Sequence, residues 1–302
     1  TRFFRPRPEF DGQAGKGMLR ESYPLMINHL LATVFFRIDI QFLQHYRGDA
    51  EVGYYSAAHR WIDALQIIPS YFTLAIFPLM SRYAESARDS LVRAYILSLR
   101  VLLIFILPVT VITLFISREL IALLGGSSYL PQSMIALQLL ILSRPFGFIN
   151  GVTQYVLIAI DQQRFLTKAF LIGMTFNVVA NFVFVPKYGY QAAAAIMIFS
   201  EIALLLPFYY AIRKHLTRVP WVGITWQPML ASLASAGILW VTRPVSLLLG
   251  LVLAVIAYPV ALWLLGGFRG QDLDVMWNAI PLGRLRRLLR GKYFTAEIAE
   301  EK

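Results

Sequence analysis

The chain has 302 residues, 58% of them hydrophobic and only 15% charged, against about 25% charged in a typical soluble domain. A mean hydropathy of +0.60 and uncharged runs over 219–242 and 244–268 exclude a soluble enzyme fold and indicate a polytopic membrane protein, since about 20 apolar residues cross a bilayer as one helix. The net charge of +11 follows the connections between apolar runs, so it speaks of orientation in a membrane and not of nucleic acid.

A basic arm over 1–20 precedes the first predicted span at 21–43, and further spans follow at 53–80, 91–117, 132–159, 165–185, 190–212, 222–243 and 245–266. The expected class is all-α integral membrane with about eight transmembrane helices, because backbone polar groups in hydrocarbon must bond within the segment. Residues 21–215 are expected to form a six-helix lobe, and 216–267 two additional helices. Pro69, Pro78, Pro108, Pro145 with Gly147, and Pro207 mark places where these helices could bend. In the tail over 268–302, Leu282, Leu285, Leu288 and Leu289 alternate with Arg284, Arg286, Arg287 and Arg290. That pattern fits a basic interfacial helix or an ordinary positive-inside tail.

Orientation can be counted. Twenty of the 28 Lys and Arg residues fall on one side of an eight-span arrangement; only Arg47, Arg118, Lys187 and Arg243 fall on the other. The basic side is expected to be cytoplasmic, with both termini of the chain there. The last four, Arg37, Arg60, Arg100 and Arg144, lie inside spans.

Ionisable groups inside a membrane are costly and normally face a bundle interior or an aqueous cavity. The first span carries Asn28, His29, Arg37 and Asp39, and the second His59, Arg60 and Asp63. Arg60 and Asp63 are three apart and share a helix face. Arg144, Asn150 and Gln154 fall in the fourth span, Asn177 and Asn181 in the fifth, and Glu201 in the sixth; the last two spans are free of charge and read as lipid-facing. An arginine-lined cavity suits an anionic substrate such as a phosphate, because guanidinium bonds bidentately and stays charged. The competing reading makes Arg37 with Asp39 and Arg60 with Asp63 structural pairs. Arg100 either lines the cavity or snorkels to the cytoplasmic edge. Glu201 is either a proton or cation site or a buried hydrogen-bonded carboxyl.

Cysteine is absent, and His29, His45, His59 and His215 lack zinc-ligand spacing, so neither metal nor cofactor is expected. There is no Walker loop, and the one acidic triplet, Asp272-Leu-Asp274, stands isolated after the last span. An enzyme is the weaker expectation.

Three stretches together resemble the polysaccharide transporter family (O-antigen and lipid-linked oligosaccharide flippases) of the multidrug/oligosaccharidyl-lipid/polysaccharide exporter superfamily. The first runs Tyr23-Pro24-Leu25, Phe36-Arg37-Ile38-Asp39, Gly48 through Arg60, Ile68-Pro69-Ser70 and Phe77 through Arg82. The second runs from Asn177 and Asn181 through Val185-Pro186-Lys187-Tyr188-Gly189-Tyr190 to Ser200-Glu201; it is similar to an N…N…P-x-Y-G-x-x-G-A-A pattern, with Gln191-Ala192 where glycine is usual. The third is Ala159 through Gln163. The likeness covers about 18–215.

The resemblance implies two six-helix lobes around a central cavity. This chain is expected to be the second lobe, MATE-like, plus two extra C-terminal helices, and so the C-terminal part of a longer protein that begins before Thr1. It implies a flippase, not an enzyme, in the bacterial cytoplasmic (inner) membrane. The cargo would be an undecaprenyl-type lipid-linked oligosaccharide for lipopolysaccharide or other surface polysaccharide, with membrane lipid around it and a coupling cation, proton or sodium. Arg37, Arg60, Arg144, Asn150 and Gln154 are the candidate cavity residues, and Asp39, Asp63 and Glu201 the candidate ion-coupling or pairing groups. The alternatives are a multidrug antiporter of the same superfamily, a peptidoglycan-precursor flippase, which is close kin, and a membrane glycosyltransferase or polymerase.

Overall fold

Seven continuous helices account for nearly all of residues 12–267, the part of the chain that this computed structural model describes. The arm before them and the tail after them, including the helix expected around Leu282–Leu289, lie outside the described residues. The helices are α1 (Gly12–Arg47), α2 (Asp49–Ser86), α3 (Arg88–Gly125), α4 (Gln132–Ala159), α5 (Gln163–His215), α6 (Trp221–Thr242) and α7 (Leu247–Leu264). Each is long and apolar enough to cross a membrane.

The 53 residues of α5 would make a straight rod of about 80 Å, far beyond a hydrocarbon core of about 30 Å. Instead the helix folds back at Gly189, whose φ of 56° and ψ of −139° are not helical. Its two arms then run antiparallel. Phe170 meets Phe208 edge-on with ring centroids 5.8 Å apart, and Asn177 Nδ2 donates to Ser200 Oγ at 3.0 Å. Among the described residues the seven continuous helices therefore supply eight segments of spanning length, and the predicted fifth and sixth spans are the two arms of α5.

Glycine is required at the bend for two reasons. Its positive φ disfavours any side chain, and a Cβ there would run into the Glu51 carboxylate. Glu51, in the first turn of α2, accepts the Tyr190 backbone N–H at 2.9 Å and the Arg47 guanidinium at 2.8 Å. It thus caps the start of the second arm, where an anion is favoured by the helix dipole, and ties the α1–α2 turn to α5.

Contacts between turns agree with an alternating up-and-down path. Tyr54 packs on Tyr129 and Tyr190 at the end that holds Gly48 and Gly189, while Arg88 reaches the His215 carbonyl at the opposite, basic end. The main core is shared by α1 through α5, around Phe35, Tyr55, Tyr95, Phe148, Phe170 and Phe208. The helices run unbroken through Pro69, Pro78, Pro108, Pro145 and Pro207. Those prolines do not produce the bend; Gly189 does.

The α6–α7 pair attaches to α3. Tyr258 donates its hydroxyl to the Ile104 carbonyl at 2.5 Å, and Arg100 Nη2 donates to Gln227 Oε1 at 2.9 Å and to the Gly267 carbonyl at 2.8 Å. Arg100 is thus buried and ties α3 to the α6–α7 pair. A cation beside the C-terminus of α7 also meets the negative end of that helix's dipole.

Candidate functional site

Two groups of intramembrane polar residues emerge, and they live in different surroundings. The first lies on an open face made by α1 and α2. His29, Thr33, Arg37 and Gln41 recur every four residues along α1 and are all exposed, as are Arg60, Asp63 and Ser70 on α2. Arg37 Nη2 meets Asp63 Oδ2 at 3.3 Å, and His59 Nδ1 lies 3.2 Å from the other oxygen of the same carboxylate. The Arg37 and Asp63 side chains keep 55% and 49% of their area exposed. Counting from Gly48 at 1.5 Å per residue, these groups sit about 15–22 Å deep, within the apolar part of both helices.

The sequence pairing is corrected here. Asp63 pairs with Arg37 across the helix pair and with His59 one turn back on α2, not with Arg60, which is exposed and whose side chain makes no bond among the described residues. Asp39 does not pair with Arg37. It is buried on the opposite side of α1, where it accepts a hydrogen bond from the Tyr55 hydroxyl and another from the Ile40 N–H at 2.9 Å. Residues two apart on a helix point in different directions, so one faces the core when the other faces out.

The second group is enclosed between α4, α5 and α2. Arg144 is 4% exposed and Glu201 is fully buried, with Nη2 and Oε1 3.4 Å apart. Asn150 Nδ2 donates to Glu201 Oε2 at 2.8 Å and to the Glu201 carbonyl at 2.9 Å. Arg144 also donates to Ser143 Oγ at 3.0 and 2.9 Å and, at 3.4 Å, to Gln66 Oε1 of α2. Gly147 makes room for this cluster, since a Cβ there would lie 2.9 Å from Glu201 Oε1. Gln154, one turn beyond Asn150, is half-buried and takes no part in these bonds. Asn177 and Asn181 bond to each other and to Ser200 inside the α5 hairpin.

The structure thus brings Arg37, Arg60 and Asp63 together at the open face, and Arg144, Asn150 and Glu201 together in the interior. Sequence reasoning missed Gln66, Ser143 and the stripe His29–Thr33–Arg37–Gln41. The stripe was detectable as a four-residue polar period inside an apolar helix; the other two are too common in helices to signal anything alone.

A family profile for polysaccharide biosynthesis proteins matches residues 2–134. A Shigella dysenteriae protein named as an O-antigen transporter is 20% identical over 195 residues, which is 65% of this chain and 48% of that protein. Among solved structures, the lipid II flippase MurJ in an inward closed conformation matches with a TM-score of 0.68 at 17% identity, over 84% of this chain and 55% of that one. The profile covers less than half of the chain, and the likenesses are to proteins named for polysaccharide biosynthesis, O-antigen transport and lipid II flipping. The chain spans about half the length of the relatives it matches. At that identity the MurJ likeness speaks of fold alone, an all-helical membrane architecture, and the chain is a multi-pass membrane protein.

Proposed function

We propose that this chain forms one side of a flippase that carries lipid diphosphate-linked oligosaccharide across the bacterial cytoplasmic membrane for surface polysaccharide synthesis, with the basic end of its helices in the cytoplasm. The observation that carries the reading is the α1–α2 face, where Arg37, Arg60 and Asp63 stand exposed at membrane depth. Bare charge in contact with lipid is expensive, so this face belongs against water and a polar cargo. A second lobe would close a cavity over it, in keeping with relatives about twice as long. The diphosphate and sugars of such a cargo cannot cross hydrocarbon unaided, whereas arginines can hold phosphate and release it without bond-making. The role is transport, not catalysis.

The test is complementation in a strain lacking its polysaccharide flippase, using the complete gene that encodes this chain. The reading predicts restored surface polymer, and at least about tenfold less of it for the Arg37→Gln/Arg60→Gln double variant at equal protein level. Surface polymer that is unchanged in the double variant, or new sugar linkages formed without translocation, contradicts it.

A further inference from the structure

The interior cluster holds an imbalance that the open face does not explain. Glu201 is held firmly by Asn150, through Oε2 at 2.8 Å, and only loosely by Arg144, at 3.4 Å. Arg144 is held most closely by its neighbour Ser143, whose Oγ accepts at 3.0 and 2.9 Å, and it reaches loosely, also at 3.4 Å, to Gln66, which lies one turn from Asp63 and on the same side of α2. A buried guanidinium poised between an internal carboxylate and a residue bordering the open face has two places to go. Asn150 Oδ1 is buried and has no hydrogen-bond partner, so a proton added to the carboxylate would find an acceptor already in place.

We propose that Arg144 and Glu201 form a proton-operated switch. When Glu201 takes a proton from water, its carboxyl group donates to Asn150 Oδ1 and no longer holds Arg144. The guanidinium then swings past Gln66 to the α1–α2 face and binds an anionic diphosphate there. Loss of the proton draws Arg144 back to Glu201 and releases the anion. The switch rests on the flippase reading for the identity of the anion, but the buried pair carries it structurally.

Among the described residues, no other charged group competes for Glu201. Arg144 and Asn150 of α4 meet it directly. On α2, Asp63 bonds to His59 and to Arg37 of α1, and on α1 Asp39 is taken by Tyr55.

The test uses the full-length protein in lipid nanodiscs, with farnesyl diphosphate as a soluble lipid diphosphate. Its dissociation constant is measured at acid and alkaline pH for the wild type, Glu201→Gln and Gln66→Leu. Taking the ratio of wild type to Glu201→Gln cancels the titration of the diphosphate itself. The switch predicts that wild-type affinity gains on Glu201→Gln as pH falls, by up to about tenfold per pH unit for one coupled proton, while Glu201→Gln binds tightly at alkaline pH. Gln66→Leu should lose the acid-side gain. Difference infrared spectra between the two pH values give a readout that needs no ligand: subtracting the Glu201→Gln difference, which holds every other titrating carboxyl, should leave a protonated-carboxyl band for the wild type and for Gln66→Leu.

A wild-type to Glu201→Gln ratio that stays constant with pH while binding persists overturns the switch alone. So does the absence of any carboxyl band once the Glu201→Gln difference spectrum is subtracted. Failure of every form to bind farnesyl diphosphate contradicts the flippase reading, and takes the anion-binding half of the switch with it.

Discussion

Arg37 and Arg144 carry the same charge under different physics. Arg37 is half-exposed and shares Asp63 with His59, so its pairing contributes little and the residue stays available to another anion. Arg144 is enclosed, and removing one partner of a buried pair leaves an uncompensated charge, at about 3–5 kcal/mol. The two sides of that pair are unequal. Glu201 meets no second cation among the described residues, whereas Arg144 has Gln66 and the open face beyond it. Thermal unfolding of the solubilised protein at alkaline pH, where Glu201 keeps its charge, should therefore show Arg144→Met more damaging than Glu201→Met, with the double variant milder than Arg144→Met alone. Equal losses for the two single variants would mean that Arg144 has no second resting place.

At the scale of elements, the α5 hairpin depends on one residue without a side chain. Ala at position 189 meets the left-handed backbone penalty of about 1–2 kcal/mol and also strikes the Glu51 carboxylate. Gly189→Ala should lower the melting temperature clearly. Glu51→Gln should lower it less, since it weakens a charge–dipole contact worth about 0.3–1 kcal/mol and a partly exposed ion pair with Arg47 worth at most about 1 kcal/mol. Glu51→Ala should cost less in the Gly189→Ala background than in the wild type, because it removes the collision; additive losses would contradict this account of the bend. Much of the element level is legible in sequence, because apolar runs of spanning length are a strong signal. The fourth predicted span, 132–159, coincides with the observed limits of α4. The sharp fold-back falls at Gly189, while the helices run on through Pro69, Pro78, Pro108, Pro145 and Pro207. Gly189 stands in the Lys187–Tyr188–Gly189–Tyr190 run, but its role depends on Glu51, 138 positions away, which no local pattern reveals.

For the whole molecule, periodicity tells which residues lie inside spans but not which partners they meet. Arg60 and Asp63 share a helix face, yet the bond to Asp63 comes from α1. Arg100 is a cavity candidate by sequence alone, but the α6–α7 pair brings Gln227 and the Gly267 carbonyl to it. Partner choice is a tertiary property, fixed by how α1, α2, α4 and α5 stack, and charge composition alone cannot supply it. What the assembled molecule shows is a division of labour. One side is a packed helical body with α6 and α7 fixed to α3, and the other is an open α1–α2 face studded with polar groups.

The central claim is that this face borders water and not lipid, and the absence of cysteine from the chain makes it directly measurable. Single cysteines placed at Thr33, Gln41 and Ala64 would be treated in native membranes with a charged, water-soluble thiol reagent, beside controls at the exposed apolar positions Val179, Leu248 and Ile256. The account predicts rapid labelling of the first three, slowed by added farnesyl diphosphate, and little labelling of the controls. Equal, slow labelling at all six positions would mean that lipid covers the α1–α2 face, and would contradict the account.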